Sequence, residues 1–111
     1  IEYTNNNPYK TKLFSKIFVN NNKKNFMIEI EGEILNLIEE YKFKKKDKNV
    51  RIKLFIKNEI SEINLYKMFA NCKNLVYVDG ISKLKQIKII NINKLFYNCI
   101  SLCSIPDINE F

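Results

Sequence analysis

The sequence predicts an α+β fold in two parts. Residues 1–59 are expected to form a small β-rich N-terminal cap of one short helix and three strands. Residues 60–111 are expected to form two stacked solenoid units, 60–86 and 87–111, with a period of 27 residues. Three observations predict this. Apolar and polar residues alternate along 25–31 and 50–57, the period-2 pattern of half-buried strands. The second half repeats itself at one fixed offset, and offsets of 20–50 residues are a solenoid signature. Gly and Pro number 2 each, too few for a turn-dense sandwich of many hairpins.

Residues 1–9 are polar and Asn-rich and end in Asn7-Pro8, a turn signal. From Lys10 to Phe18, the residues Leu13, Phe14, Ile17 and Phe18 recur at helical spacing, which predicts a short helix with one apolar face. Asn20 to Lys24 reads as a loop. In Asn25–Glu31, Phe26, Ile28 and Ile30 face one side and Met27, Glu29 and Glu31 the other. Glu31-Gly32 is the tight turn of a hairpin whose return strand runs from Glu33 to Ile38. The charged stretch Glu39–Asn49 reads as an exposed loop. Val50, Ile52, Leu54 and Ile56 then alternate with Arg51, Lys53, Phe55 and Lys57 as the third strand.

Residues 60–84 overlie 87–111 without a gap. Phe69 meets Phe96, Cys72 meets Cys99 and Leu75 meets Leu102. Leu65, Met68, Val78 and Leu84 meet Ile92, Leu95, Ile105 and Phe111. Composition inflates the Ile, Asn and Lys matches but not those of Phe, Cys and Leu. One further step back sets Lys42, Lys44 and Lys45 under Phe69, Asn71 and Cys72, so the repetition stops there. Each unit reads as a strand (Ile60–Ile63, Ile87–Ile90), an Asn N-cap (Asn64, Asn91), one or two helical turns (Leu65–Ala70, Ile92–Tyr97) and a second strand (Leu75–Val78, Leu102–Ile105). Units whose strands pair sit about 4.8 Å apart. Phe69, Cys72 and Leu75 would then stack on Phe96, Cys99 and Leu102 as the repeat core.

The strings Met68-Phe69-Ala70-Asn71-Cys72-Lys73-Asn74-Leu75 and Leu95-Phe96-Tyr97-Asn98-Cys99-Ile100-Ser101-Leu102 resemble the BspA-like leucine-rich repeats of surface proteins. Ser104-Ile105-Pro106-Asp107-Ile108 is similar to the strand that follows in that family, and Val78-Asp79-Gly80-Ile81 is a looser copy. Phe18-Val19-Asn20-Asn21-Asn22 resembles part of the β-rich segment that precedes such repeats in some protist proteins. The resemblance implies two leucine-rich-repeat-like solenoid units that present a surface for protein binding, as in bacterial and protist adhesins, and it implies no catalytic residues. Two units are few for that family. The second carries an uncovered apolar edge around Leu102, Ile105, Ile108 and Phe111, which predicts that the chain continues past Phe111 or that a neighbour covers this end.

The formal net charge is +7, which favours acidic partners. The wealth of Asn, Lys and Ile is also that of a strongly AT-biased genome, in which lysine is the default surface residue. Lys42–Lys57 is a candidate anion-binding segment, with Lys44, Lys45, Lys46, Arg51 and Lys53 as ligands and Tyr41, Phe43 and Phe55 as stacking partners. No nucleic-acid-binding motif accompanies it, and a solvated loop with an outer strand face explains the same residues. Glu29, Glu31 and Glu33 flank the hairpin. The chain has no His, the commonest proton shuttle, and nothing beside these acids supplies a nucleophile or phosphate loop. They read as a solvated strand face.

Three cysteines leave at least one thiol free. Cys72 and Cys99 would be neighbours with parallel side chains, which is poor disulfide geometry, so both read as buried thiols, with Cys103 exposed. No metal-ligand spacing or cofactor motif is present, and no apolar run approaches the roughly 20 residues of a membrane span. Val76, Tyr77, Asp79 and Lys83 are candidate partner-binding positions, lying between inward Leu75, Val78 and Ile81. The expectation is a non-catalytic protein-interaction, scaffold or adhesion module with a protein partner and neither cofactor nor metal. The alternative is a binder of anionic surfaces, nucleic acid or acidic lipid, through Lys42–Lys57. Cell surface and cytoplasm both remain open as compartments.

Overall fold

The structure, a computed structural model, describes residues 1–5, 10–44, 49–57, 59–79 and 87–104. Its elements in chain order are β1 (Glu2–Thr4), β2 (Thr11–Lys12), α1 (Lys16–Asn22), β3 (Phe26–Ile30), β4 (Glu33–Asn36), β5 (Glu40–Tyr41), β6 (Asn49–Ile56), β7 (Glu62–Asn64), β8 (Leu75–Tyr77) and β9 (Lys88–Asn91).

Alternating side chains build the main sheet. β3 buries Phe26, Ile28 and Ile30, and β6 buries Val50 and Ile52. β3 and β4 form a hairpin whose two turn residues, Glu31 and Gly32, hold φ of 49° and 83°. A doubly left-handed turn of this kind matches the twist of the flanking strands. β6 pairs with the other side of β3, Ile28 facing Leu54 and Ile30 facing Ile52. β1 and then β8 complete an antiparallel sheet of order β4-β3-β6-β1-β8. β2 pairs with β5, and β7 pairs in parallel with β9.

The helix differs from its expected position at both ends. Thr11 and Lys12 are drawn into pairing with Tyr41 and Glu40, so Leu13 and Phe14 are buried before the first turn. Ser15 caps the helix, its hydroxyl accepting the Phe18 N–H at 3.2 Å. At the other end the expected loop is helical through Asn22. The Asn22 amide is buried and donates to the carbonyls of Phe18 (3.2 Å) and Asn64 (2.9 Å), a long-range satisfaction that local polarity does not reveal. The expected exposed loop after Glu39 also carries structure, because β5 lies within it and Phe43 is buried against Tyr41 and Tyr3, with ring centroids 5.7 and 6.5 Å away.

The two-part α+β architecture, a cap followed by two leucine-rich-repeat-like solenoid units, is overturned. Among the described residues 39% lie in strands and 8% in helix, and that helix is α1 in the first half. β8, from the second half, lies beside β1 in the main sheet, and the Thr4 N–H reaches the Asn74 carbonyl at 2.8 Å. Leu65–Ala70 and Ile92–Tyr97 form turns, not helices. The reason is backbone handedness: Lys67, Asn71, Lys94 and Asn98 hold φ of 54°, 63°, 55° and 59°, and a left-handed residue interrupts the i→i−4 ladder of an α-helix.

Tyr3 lies where the halves meet, opposite Val50 on β6 and Leu75 on β8. It is fully buried on β1, its hydroxyl donates to the Leu13 carbonyl, and burial pushes its phenol well above the ordinary range. Tyr3→Phe should lower the urea-unfolding free energy by about 1–2 kcal/mol, because the Leu13 carbonyl is then buried without a donor. An unchanged midpoint would show that the bond contributes nothing.

Candidate functional site

Residues 64–72 and 91–99 follow the same backbone path. Asn64 Oδ1 accepts the Tyr66 N–H and Asn91 Oδ1 accepts the Asn93 N–H, both at 2.9 Å, so the two asparagines start turns where helix caps were expected. The N–H groups then alternate in direction. Those of Met68, Ala70 and Cys72 donate to carbonyls three residues back at 3.0 Å, and those of Leu95, Tyr97 and Cys99 do the same at 3.2 Å. The intervening N–H groups of Leu65, Lys67, Phe69 and Asn71 point sideways. They reach the carbonyls of Asn91, Asn93, Leu95 and Tyr97 at 2.9, 3.1, 3.0 and 2.8 Å. Side chains follow the same register. The rings of Phe69 and Phe96 stack at 5.8 Å with planes 1° apart, and the Asn98 amide donates to Asn71 Oδ1 at 3.0 Å.

The two outer edges of this pair differ. On the first unit's far side, the Ser15 N–H donates to the Met68 carbonyl at 3.0 Å and Asn22 donates to that of Asn64. Phe14 lies on Phe69 there, with centroids 5.6 Å apart. On the second unit's far side, the N–H groups of Ile92, Lys94, Phe96 and Asn98 have no backbone acceptor among the described residues. They are the counterparts of the four bonded N–H groups of the first unit. Around them stand Ile90 and Ile92, with Tyr97 57% and Ile100 72% exposed. The first-unit counterparts Ile63 and Leu65 are buried. The edge therefore combines a row of backbone donors with exposed apolar side chains.

The sequence-derived candidates are scattered by comparison. Val76 is not available to a partner: it is buried, and its carbonyl accepts the Cys103 N–H at 3.0 Å. Leu75 and Val76 are both buried, so β8 is covered on both faces there, and Tyr77 alone of its three residues is exposed. Tyr77 is exposed on β8, Asp79 Oδ1 lies 3.4 Å from the Ile1 nitrogen, and Lys83 lies outside the described residues. Phe69, Cys72 and Leu75 are fully buried in a core shared with the main sheet, and Phe96, Cys99 and Leu102 are half-buried against it. Ile105, Ile108 and Phe111 lie outside the described residues.

In the basic segment, the Lys44 N–H and ammonium bond Glu31 (2.8 Å) and Glu33 (2.6 Å), and Arg51 pairs with Glu2 at 3.2 Å. Lys53 is exposed opposite Glu29, and Lys45 and Lys46 lie outside the described residues. Of the aromatic stacking candidates, Phe43 is buried and Tyr41 half-buried, which leaves Phe55 exposed. Ile90, Ile92, Tyr97 and Ile100 were not singled out from sequence, although the overlay holds a signal. Tyr97 stands where the first unit has Ala70, and Ile100 where it has Lys73.

A cleft of 540 Å³ lies between β6 and the turns, walled by Ile52, Leu54, Leu65, Met68, Phe69 and Leu95. Among the described residues no helix is long and apolar enough to cross a membrane. No protein-family model, curated protein or solved structure matches the chain.

Two measurements follow from this geometry. Lys94→Val should destabilise the protein by about 1–2 kcal/mol, because a β-branched residue is forced into left-handed φ, whereas Lys94→Gly should be neutral within about 1 kcal/mol. Equal thermal midpoints for both variants would refute the turn geometry. The thiols provide the second. All three are free; burial holds Cys72 far above the usual thiol range and pushes Cys99 up to about 11. Iodoacetamide at pH 8 should therefore alkylate exposed Cys103 first, with Cys99 reacting only as pH climbs towards 11. The folded Cys99 holds its proton more tightly than the unfolded thiol near 9. Its contribution to stability is thus intact below pH 9 and lost as pH rises through about 11. Equal labelling of Cys99 and Cys103 at pH 8, read by peptide mass spectrometry, contradicts this.

Proposed function

We propose that the chain is a non-catalytic protein-interaction module of scaffold or adhesion type, and that it meets a protein partner through the open edge of the second unit. The observation that carries this reading is the row of donors at Ile92, Lys94, Phe96 and Asn98 beside exposed Ile90, Tyr97 and Ile100. Unpaired backbone groups along an edge are a template for another chain. Contiguous exposed apolar residues rimmed by polar ones mark contact surfaces, and tyrosine is a favoured anchor in them.

The resemblance of residues 68–75 and 95–102 to repeats of surface proteins supports the same class. The carboxylates best placed for acid–base work, Glu31 and Glu33, are engaged in fastening Lys44, and the chain has no His. The anion-binding alternative draws less support, since Lys44 and Arg51 already have carboxylate partners.

The test places a photo-crosslinking residue at position 100 and, as a control, at exposed Ile34 on β4. Adducts should form from position 100 and not from 34. Tyr97→Asp with Ile100→Asp should weaken the captured partner's binding about thirtyfold or more, roughly 2 kcal/mol, with little change in thermal stability. Unchanged affinity in the double variant would remove this edge from the function.

A further inference from the structure

We propose that the open edge is completed by a non-helical segment of a different protein, which lies along the second unit and offers it a row of backbone carbonyls at alternate residues. A flat side chain of that segment covers Phe96, and an amide side chain meets Asn98. This rests on the interaction reading above and specifies how the contact is made.

The first unit supplies the template. Its edge has the same left-handed residues at the same places, Lys67 and Asn71 for Lys94 and Asn98. What satisfies it is visible: four carbonyls from alternate residues 91–97, a parallel ring at Phe96 and the amide of Asn98. The second edge repeats these requirements. A helix does not meet them, because its carbonyls are committed to its own N–H groups.

A second copy of the chain does not meet them either. Two open edges set face to face oppose donors with donors. The complementary carbonyl row of the first unit is already engaged at Asn64 and Met68 by Asn22 and Ser15, and Phe14 covers the ring of Phe69. Stacking head to tail is therefore closed off, so a second copy of the chain does not supply the row.

The test follows amide hydrogen exchange in the full chain by NMR. The probe is a blocked synthetic peptide of residues 88–104 carrying Cys99→Ser and Cys103→Ser, the segment that supplies the carbonyl row internally. In the free chain, the amides of Ile92, Lys94, Phe96 and Asn98 should exchange at least 100-fold faster than those of Leu65, Lys67, Phe69 and Asn71. Millimolar peptide should slow the four open amides tenfold or more and leave the first-unit amides unchanged. The same peptide with Phe96→Ala should protect them less. Four amides already slow in the free chain would overturn the proposal, since the edge would be closed by the chain itself. Absence of any peptide effect, or concentration-dependent self-association that protects these amides, would overturn it too. If the peptide shifts the side-chain signals of Tyr97 and Ile100 without slowing the amides, the backbone-row mode fails and the interaction reading stands.

Discussion

Phe69 lies between two rings, and the molecule is assembled around that contact. Phe26 stacks on Phe18 at 6.1 Å, Phe18 on Phe14 at 5.5 Å, Phe14 on Phe69 at 5.6 Å and Phe69 on Phe96 at 5.8 Å. This column runs from the main sheet through the helix and the segment before it into both turn units. Each stacked pair contributes about 0.5–1.5 kcal/mol beyond its area burial. The larger effect is geometric: residues 14–26 and the two turn units share one packed axis. Four of the rings are fully buried and the last, Phe96, is half-buried, so the column ends where the donor row is open.

The turn geometry explains why that end differs from the other. Alternate N–H groups of each unit leave the plane of their own turn and need acceptors from outside. Buried backbone donors without partners are costly, so nearly all are satisfied in folded proteins. The first unit finds its acceptors in the second. On its opposite side, Ser15 and Asn22 donate to its carbonyls. A capping residue and a buried helical amide thus close one edge with side-chain and backbone groups that belong to the first half. Nothing among the described residues does this for the second unit, where Ile90, Ile92, Tyr97 and Ile100 are exposed.

Electrostatics follows the fold. The chain carries +7, yet two of the residues that suggest an anion site, Lys44 and Arg51, are tied down locally. Glu31 and Glu33, at the hairpin turn, hold Lys44 by its backbone and its ammonium, and Glu2 on β1 holds Arg51 on β6. Exposed pairs of this kind contribute little individually. Their structural effect is to hold Lys44 against the hairpin and Arg51 against β1. The acids that looked solvated from sequence thus meet the cations that looked free.

Much was legible in the sequence wherever the determining contacts are local or periodic. The alternation of Phe26–Ile30 and Val50–Ile52 determined two strands and their inward faces, Glu31-Gly32 determined the hairpin turn, and the 27-residue offset determined that Phe69 and Phe96 are equivalent. Tertiary structure decided the rest. Whether residues 65–71 wind into a helix or a ladder of turns depends on acceptors at Asn91, Asn93, Leu95 and Tyr97, which no local spacing encodes. The Asn22 amide is satisfied in the interior because the Asn64 carbonyl accepts it, and Val76 is buried where the Cys103 N–H meets its carbonyl. The open edge itself could be read only once the first unit showed what such an edge binds. A backbone donor has the same identity in every residue, and only its neighbours across space decide whether it is satisfied.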